Sequence, residues 1–371
     1  MSAFDRVTSG LRATLSDSQV RDGYRARLQW VLRGSTHLPA WSLEYRAGLT
    51  GNYVVDAQRS DPDPTLVRSC PEGCRANAPL HHLYEQRFVY QLSDTVTNTV
   101  SAATLLCGTH EPPFFVRESI SWPFESIVGH GLDIPDPRKA ALAPYEPATI
   151  FPSTRNYYHW LIEDLPMIVR AHAAEPDATV LVNDEELSDR HTLVASTLGI
   201  RLRSAPKTVR IRSHVMPGRA SDSWFIHPAD AQILFDLGHR LTSTTVDRAE
   251  RIYVSRRQAT RSLPFEDELE SRLSDAGFVI VAPESLTWIE QITLFRSATT
   301  VIGPHGAGLS NLVFTPPGAT LIELTNGHHY NRCFEWLCHV AGHTYIPIGA
   351  DDGHYPTADA LVREILTASA G

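Results

Sequence analysis

Sulfur, basic surplus and long apolar runs are all scarce in this chain. Its five cysteines, Cys70, Cys74, Cys107, Cys333 and Cys338, are odd in number and scattered, which fits a reducing compartment better than a disulfide framework. A formal net charge of -9 offers no general surface for polyanions, so a nucleic-acid partner is not expected, although local basic pockets remain compatible with it. No stretch reaches the roughly 18 apolar residues of a membrane span. Residues 1–30 mix charges throughout and lack the apolar core of a signal peptide, so the expectation is a cytoplasmic protein with no transmembrane segment. A metal knuckle is also not expected. In "CPEGC" the spacing of Cys70 and Cys74 departs from Cys-x2-Cys, His81 and His82 follow at a distance, and Pro71 and Gly73 make an ordinary turn, so no metal is assigned.

What is present is the composition of a globular protein, 42% hydrophobic and 20% charged over 371 residues. That length exceeds the size at which one core stops growing, and about two domains are expected. Residues 1–145 read as a mixed α+β extension, with helix-like spacing over 11–34, a strand or hairpin in "RFVYQLSDTVTNTVS", and loops around Pro112, Pro123 and Pro135. From residue 146 to 246 short apolar runs alternate with helical patterns: "ATIFP", the helix "NYYHWLIEDLPMIVRAHA", "ATVLVN", the helix "DRHTLVASTLG", "VRIRSHVMP" and a crossing helix from His227. A second series fills 247–371: "RIYVSRR", a helix closed by Gly277, "FVIVAPE", the helix "LTWIEQITLFRSA", "TTVIGPHGAG", "ATLIEL" and a final helix. Such alternation predicts an α/β fold of two Rossmann-like halves with a cleft between them, and ligands beyond the carboxyl ends of the strands.

The strand ends carry the chemistry. "YVSRRQATRS" places Ser255, Arg256, Arg257 and Arg261 at the exit of one strand. Guanidinium groups fork onto phosphate oxygens, so the cluster suits a diphosphate, while a solvated basic turn is the plain alternative. "GPHGAGLSN" leaves a later strand, with Pro304, His305, Gly306, Ala307 and Gly308 ahead of a helix expected near Leu309. A helix start offers unpaired N–H groups and positive charge to an anion, and His305 is either a phosphate donor or a structural turn histidine. The Gly-Lys-Ser/Thr of a P-loop is missing, and the glycines do not follow a first Rossmann strand, which weakens kinase, ATPase and dehydrogenase readings. Glu323 ends "ATLIEL", where a carboxylate accepts from ribose hydroxyls or takes part in a salt bridge. In "NYYHWLIEDLP", His159 and Glu163 lie four residues apart on one helical face with Asp164 adjacent. The segment reads either as an amphipathic packing helix or as a site with a general base beside sugar-stacking aromatics.

Taken together, "NYYHWLIEDLP", "YVSRR", "LTWIEQITLFRSATTVIGPHGAGLSNLVF" and "ATLIEL" resemble glycosyltransferase family 61 over roughly residues 148–348. The resemblance implies a GT-B arrangement, with a nucleotide-sugar donor in the domain 247–371 and an acceptor against 146–246. It implies inversion at the anomeric carbon without an essential metal and without a cofactor. Asp61-Pro62-Asp63 is the only Asp-x-Asp and falls outside the likeness. Carried onto this chain, Arg256 and the His305–Gly308 turn hold the phosphates, and Asn311 and Glu323 lie near the nucleoside. Asn156, Tyr158, Trp160 and Glu163 are expected on the acceptor side, with Asp164 preferred over His159 as base. Where family members often have asparagine, this chain has Pro264 to Glu266. The acceptor class stays open among glycan, glycolipid and small molecule, and so does homo-oligomerisation. Two alternatives stand beside transfer: a non-catalytic nucleotide or glycan binder, and a nucleotide-sugar epimerase of the same architecture, which needs an acid/base pair on the sugar ring.

Overall fold

The structure is a computed structural model. It describes residues 40–41, 56–59, 67–69, 81–83, 88–107, 114–116, 135, 137–154, 156–219, 221, 225–242, 250–257, 263, 265–326, 332–350 and 357–369. The chain divides into two compact units: Met1–Asp63, Gln86–Thr154 and Met167–Arg219 form one, and Pro64–Glu85, Arg155–Pro166 and Ala220–Gly371 the other. The partition therefore runs differently from the boundaries read at 145 and 246. Among the described residues no helix is long and apolar enough to cross a membrane. The helix read over 11–34, and Cys70, Cys74, Arg261 and Pro264, lie outside the described residues.

The first unit is built on a ten-stranded mixed sheet. The stretch read as a strand or hairpin is mostly one strand, Phe88–Asn98, which pairs antiparallel with Thr104–Leu106 beyond that stretch and with Thr208–Pro217 on its other side. Beyond Thr208–Pro217 the sheet continues in parallel through Ala148–Ile150, Thr179–Asn183 and Leu202–Ala205. Residues 1–145 thus contribute strands to the same sheet as 148–217. Small and β-branched side chains fill this core: Ala102, Ala148, Ile150, Leu181, Val209 and Ile211 pack together. Val and Ile favour such pleated surfaces because their χ1 is already restricted.

The second unit carries a five-stranded sheet of β1 (Glu250–Val254), β2 (Val279–Val281), β3 (Ala298–Pro304), β4 (Thr320–Asn326) and β5 (Thr344–Ala350). All pairings are parallel and the spatial order is β2-β1-β3-β4-β5. Its helices are α1 (Pro228–Leu241), α2 (Glu266–Asp275), α3 (Trp288–Ser297), α4 (Cys333–Ala341) and α5 (Ala358–Ser369). Local sequence sets their ends. His227 caps α1 ahead of a proline in the first turn, Thr287 and Glu290 form a capping box on α3, and Gly277 takes φ 84° just past α2. One face of the sheet, Tyr253, Ile302, Ile322, Leu324 and Ile348, is covered by Leu269 and Leu273 of α2 and Leu361 and Ile365 of α5. Away from that cluster, α4 packs against α1, and α3, α4 and α1 all pack against a 3-10 run, Ala307–Phe314.

In the order β2-β1-β3-β4-β5, successive crossovers run in opposite directions from β1 and from β3. Between those two strands lies the topological switch point, where loops diverge and leave a crevice at the carboxyl edge. Both loops singled out in the sequence leave these two strands.

Candidate functional site

Ser255, Arg256 and Arg257 follow β1, and their loop is held from α2 by two carboxylates one turn apart. Glu266 accepts from the Arg256 N–H at 2.5 Å, the Tyr253 hydroxyl at 3.2 Å and the Leu263 N–H at 3.0 Å. Glu270 accepts from the Ser255 hydroxyl at 2.5 Å and pairs with Arg257, which also meets Asp267 at 2.9 Å. Both glutamates are buried. They sit in the first turns of α2, where the helix dipole favours negative charge. Arg257, 56% exposed in its side chain, is therefore tied back to α2, whereas Arg256 reaches the other loop.

That other loop follows β3, and the Arg256 guanidinium donates to the carbonyl of His305. A Cβ on Gly306 would stand 2.4 Å from Arg256 Nη1 and 2.8 Å from its Cζ. Gly306 leaves the room that the guanidinium takes, in the space where another residue would have its side chain. Gly303 is confined in the same way by the Val254 carbonyl, 3.0 Å from where its Cβ would be, and Gly308 by Val254 Cγ1 at 3.2 Å. The bend thus packs closely on the end of β1. Ala307 opens the 3-10 run Ala307–Phe314, and Pro304 is buried as the last residue of β3. The helix expected near Leu309 is thus a 3-10 run that begins at Ala307.

His305 is oriented from below. Its Nδ1 lies 2.5 Å from Oε1 of Glu323 on β4, and Oε2 of Glu323 accepts from the Tyr345 hydroxyl on β5 at 2.7 Å. Glu323 is 0% exposed and the His305 side chain 18%. Sequence reading placed Glu323 near the nucleoside; in the folded chain its two oxygens are taken by His305 and Tyr345. Asn311 is also inward: it is buried, accepts from the Tyr157 hydroxyl and donates to Gln291 at 3.0 Å, while Trp288 Nε1 donates to the Tyr157 hydroxyl at 2.9 Å. These bonds tie the 3-10 run and α3 to the segment that begins at Asn156.

That segment is helical but not uniform. The exposed Asn156 caps an α-turn, Tyr157–His159, accepting from the Tyr158 N–H at 2.9 Å. A π-turn follows over Trp160–Asp164, closed by the Leu165 N–H on the Trp160 carbonyl, and α-helix resumes over Leu165–Ala174. The cause is local. Pro166 has no N–H to give to the carbonyl four residues back and its ring crowds that turn, so the helix widens before it. His159 Nδ1 contacts the Glu163 carboxylate; the histidine side chain is 30% exposed and the glutamate 0%. Asp164 is fully buried, and Trp160 fills the core edge-on to Trp288 at 5.2 Å between ring centroids.

The two histidines share one aromatic cluster. Centroid distances are 5.5 Å for His159–Tyr158, 5.8 Å for Tyr158–Phe334 and 5.3 Å for Phe334–His305. Cys333 and Cys338 on α4 stand beside it as buried thiols, pushed well up from the ordinary value by burial and then by the charge of Glu323. Among the described residues no group of His, Cys, Asp and Glu is arranged to hold a metal ion.

The site therefore has two oriented histidine–carboxylate pairs and an arginine seated on a glycine bend at the switch point. Sequence reasoning named His159, Glu163, Arg256, His305, Gly306 and Glu323 and set His159 and Glu163 on one helical face, but it did not pair His305 with Glu323 or set Arg256 against Gly306. It missed Glu266 and Glu270, whose signal was a pair of acids four residues apart opening the helix after an arginine loop. Tyr345 and Phe334 carried no local signal.

Comparison with known proteins agrees with this segment. Residues 157–322 match the family described as Glycosyltransferase 61. The EGF domain-specific O-linked N-acetylglucosamine transferase of Drosophila melanogaster is 35% identical over 121 residues, which cover 30% of this chain and 23% of that protein. The protein of the same name in Gallus gallus is 35% identical over 81 residues, covering 20% of this chain and 15% of its own length. An alpha-1,3-arabinosyltransferase, XAT3, of Oryza sativa subsp. japonica is 36% identical over 77 residues, 20% of this chain and 13% of that one. The chain thus matches less than a quarter of the length of each of these relatives. The matched segment, residues 157–322, holds the helix of His159 and Glu163 and both loops of the switch point, and over it the chain is similar to glycosyltransferase family 61.

Proposed function

We propose that this protein is a glycosyltransferase that moves a sugar from a nucleotide-sugar donor to a hydroxyl of a glycan, glycolipid or small molecule, with inversion and with neither a divalent metal nor a cofactor. The five-stranded unit is then the donor half of a GT-B arrangement and the ten-stranded unit the acceptor half. The observation that carries the reading is the seat of the Arg256 guanidinium on the His305–Gly306 bend, at the point of the sheet where ligands gather. Departure of a nucleoside diphosphate develops charge on its terminal phosphate. Arg256, His305 and the N–H groups of the bend are the groups placed to meet that charge, the task a divalent metal performs elsewhere.

In the transfer, an acceptor oxygen attacks the anomeric carbon, the bond to phosphate oxygen breaks, and the acceptor proton goes to a base. His159 suits this role better than Asp164. Its side chain is 30% exposed, whereas Asp164 is 0% exposed, and a base must reach the proton it takes. Nδ1 facing Glu163 leaves the basic lone pair on Nε2, and Glu163 steadies the imidazolium that forms, as carboxylate partners of catalytic histidines do.

The test is a thermal-shift panel of nucleoside diphosphates, followed by transfer assays with nucleotide sugars carrying N-acetylglucosamine and arabinose among others, with and without a metal chelator. One nucleoside diphosphate is expected to stabilise the protein above the rest, Arg256→Ala to abolish that shift, and the chelator to change nothing. Failure of every nucleoside diphosphate to bind sinks the reading.

A further inference from the structure

Each oxygen of the buried Glu323 carboxylate has its own donor, His305 Nδ1 on one and the Tyr345 hydroxyl on the other. A carboxylate only accepts, so Nδ1 is the nitrogen that carries the proton toward it. What His305 can offer a ligand is then decided at Nε2. In the neutral ring Nε2 is a lone pair, which repels a phosphate oxygen. In the imidazolium it is an N–H donor with a positive charge behind it.

We propose that the diphosphate of the donor is bound by the imidazolium form of His305, so that donor binding takes up a proton there, with Glu323 as the positioning residue that supports this form and Tyr345 as the group that fixes Glu323. This rests on the nucleotide-sugar reading above and adds to it a proton that the ligand brings to the protein.

The surroundings support a cation at this ring. A fully buried carboxylate without a counter-charge is costly, and of the two donors on Glu323 only the imidazole can become positive. The remaining charged and titratable groups around the pair divide clearly. Arg256, seated on the His305 carbonyl, opposes protonation of the ring until an anion lies between them. Cys333 and Cys338 on α4 are raised by burial and stay neutral. The Phe334 ring contributes no charge, and Tyr158 and His159 lie beyond it in the same cluster. A dianionic ligand between Arg256 and the ring offsets the repulsion between the two and adds its charge to that of Glu323 in favour of the imidazolium. By linkage, a ligand whose binding takes up one proton loses affinity as pH rises, by up to about tenfold per pH unit.

The experiment is titration calorimetry with the nucleoside diphosphate that the panel selects, run in pairs of buffers with different heats of ionisation. Working between about pH 7 and 8.5 keeps the ligand's terminal phosphate, with its second pKa of about 6, out of the measurement. The wild type is expected to take up a growing fraction of one proton as pH rises through this window. His305→Gln is expected to bind on the order of ten- to a hundredfold more weakly near neutrality and to take up none. Glu323→Gln, which keeps an acceptor but loses the charge, is expected to show its fall in affinity at lower pH than the wild type. Equal proton uptake by wild type and His305→Gln overturns the inference and leaves sugar transfer standing, as does a Glu323→Gln profile that superimposes on the wild type. Absence of binding by any nucleoside diphosphate at any pH overturns the nucleotide reading and this inference with it.

Discussion

Gly306→Ala is the smallest change that tests how the two loops at the switch point work together. Gly306 has φ 175°, extended backbone that alanine adopts freely, so the substitution carries no conformational strain. Its effect is steric and local. The new Cβ would lie 2.4 Å from Arg256 Nη1, and an ordinary contact begins near 3.4 Å, so the guanidinium must retreat by about 1.0 Å (3.4 − 2.4). A hydrogen bond lengthened that far is lost, and the guanidinium leaves the His305 carbonyl. Because what moves is the far end of a flexible side chain, stability should change by less than about 1 kcal/mol. Donor binding should suffer as though Arg256 had been removed. A charge-assisted contact of about 1.5–3 kcal/mol corresponds to roughly a ten- to hundredfold rise in Kd for the nucleoside diphosphate. The assay is calorimetric Kd and urea denaturation on wild type, Gly306→Ala, Arg256→Ala and the double variant. If Gly306 acts only by making room for Arg256, the double variant binds no worse than Arg256→Ala, because both changes remove one interaction. Additive losses, or an unchanged Kd in Gly306→Ala, would refute the reasoning.

Three further outcomes follow from the same geometry. His159→Gln is expected to lower kcat by about 10²- to 10⁴-fold with donor Kd unchanged, and Glu163→Gln to lower kcat less while shifting its pH profile; single-turnover kinetics with saturating donor separates these, and full turnover by His159→Gln removes it as base. Arg332 is 0% exposed and forks onto Glu335 at 2.7 and 3.0 Å, so Glu335→Ala strands a buried cation and is expected to cost about 3–5 kcal/mol by denaturant titration. Burial pushes His191 and His343 down to about 4 and His214 down to about 3. Below the ordinary histidine value of about 6.5 the unfolded chain binds protons that the native state refuses, so stability is highest above that pH and falls toward pH 4 by about 1.4 kcal/mol per pH unit per site; His214→Asn is expected to reduce the measured slope by about one proton, and an unchanged slope contradicts it.

The order of elements was legible because both of its signals are local. Apolar runs bounded by Gly and Pro gave the strands, and caps such as Thr287 with Glu290, His227 before Pro228, and Gly277 after α2 gave helix ends. The two loops were legible because residue type and position agreed: arginines after one strand, small residues after another. Pairings across the fold were not legible. Glu323 and Tyr345 lie on neighbouring strands and their contact depends on register, Glu323 opposite Pro347 on β5, which no window of sequence contains. Trp160 and Tyr158 looked suited to stack on sugar because aromatics beside titratable groups have that appearance, but a helical face does not declare which way it turns until its neighbours are placed. The π-turn was hidden by the same habit of reading at a period of 3.6. Pro166 marked it, and a widened turn rotates Glu163 and Asp164 relative to His159. The strands Leu202–Ala205 and Thr344–Ala350 were not read: the first has only one buried residue, and the second is interrupted by Pro347 and Gly349.

The site uses one device twice. His159 and His305 each present Nδ1 to a carboxylate that is 0% exposed, which fixes the same tautomer in both and leaves Nε2 as the working nitrogen. What separates their proposed roles is the ligand each meets. An acceptor hydroxyl is neutral and gives up a proton, so it works with a ring that has a lone pair. A diphosphate is anionic and gives up nothing, so it selects a ring that is already charged. The second oxygen of Glu323 accepts from Tyr345 at 2.7 Å, which holds that carboxylate in place beside the His305 ring. A protein built this way needs one histidine neutral and the other protonated at the same moment. The two roles are therefore separable by substitution: Glu163→Gln should lower kcat and leave donor Kd in place, whereas Glu323→Gln should raise donor Kd and leave single-turnover kcat at saturating donor in place. A variant of either carboxylate that moves both quantities would mean that the division of roles between the two pairs does not hold.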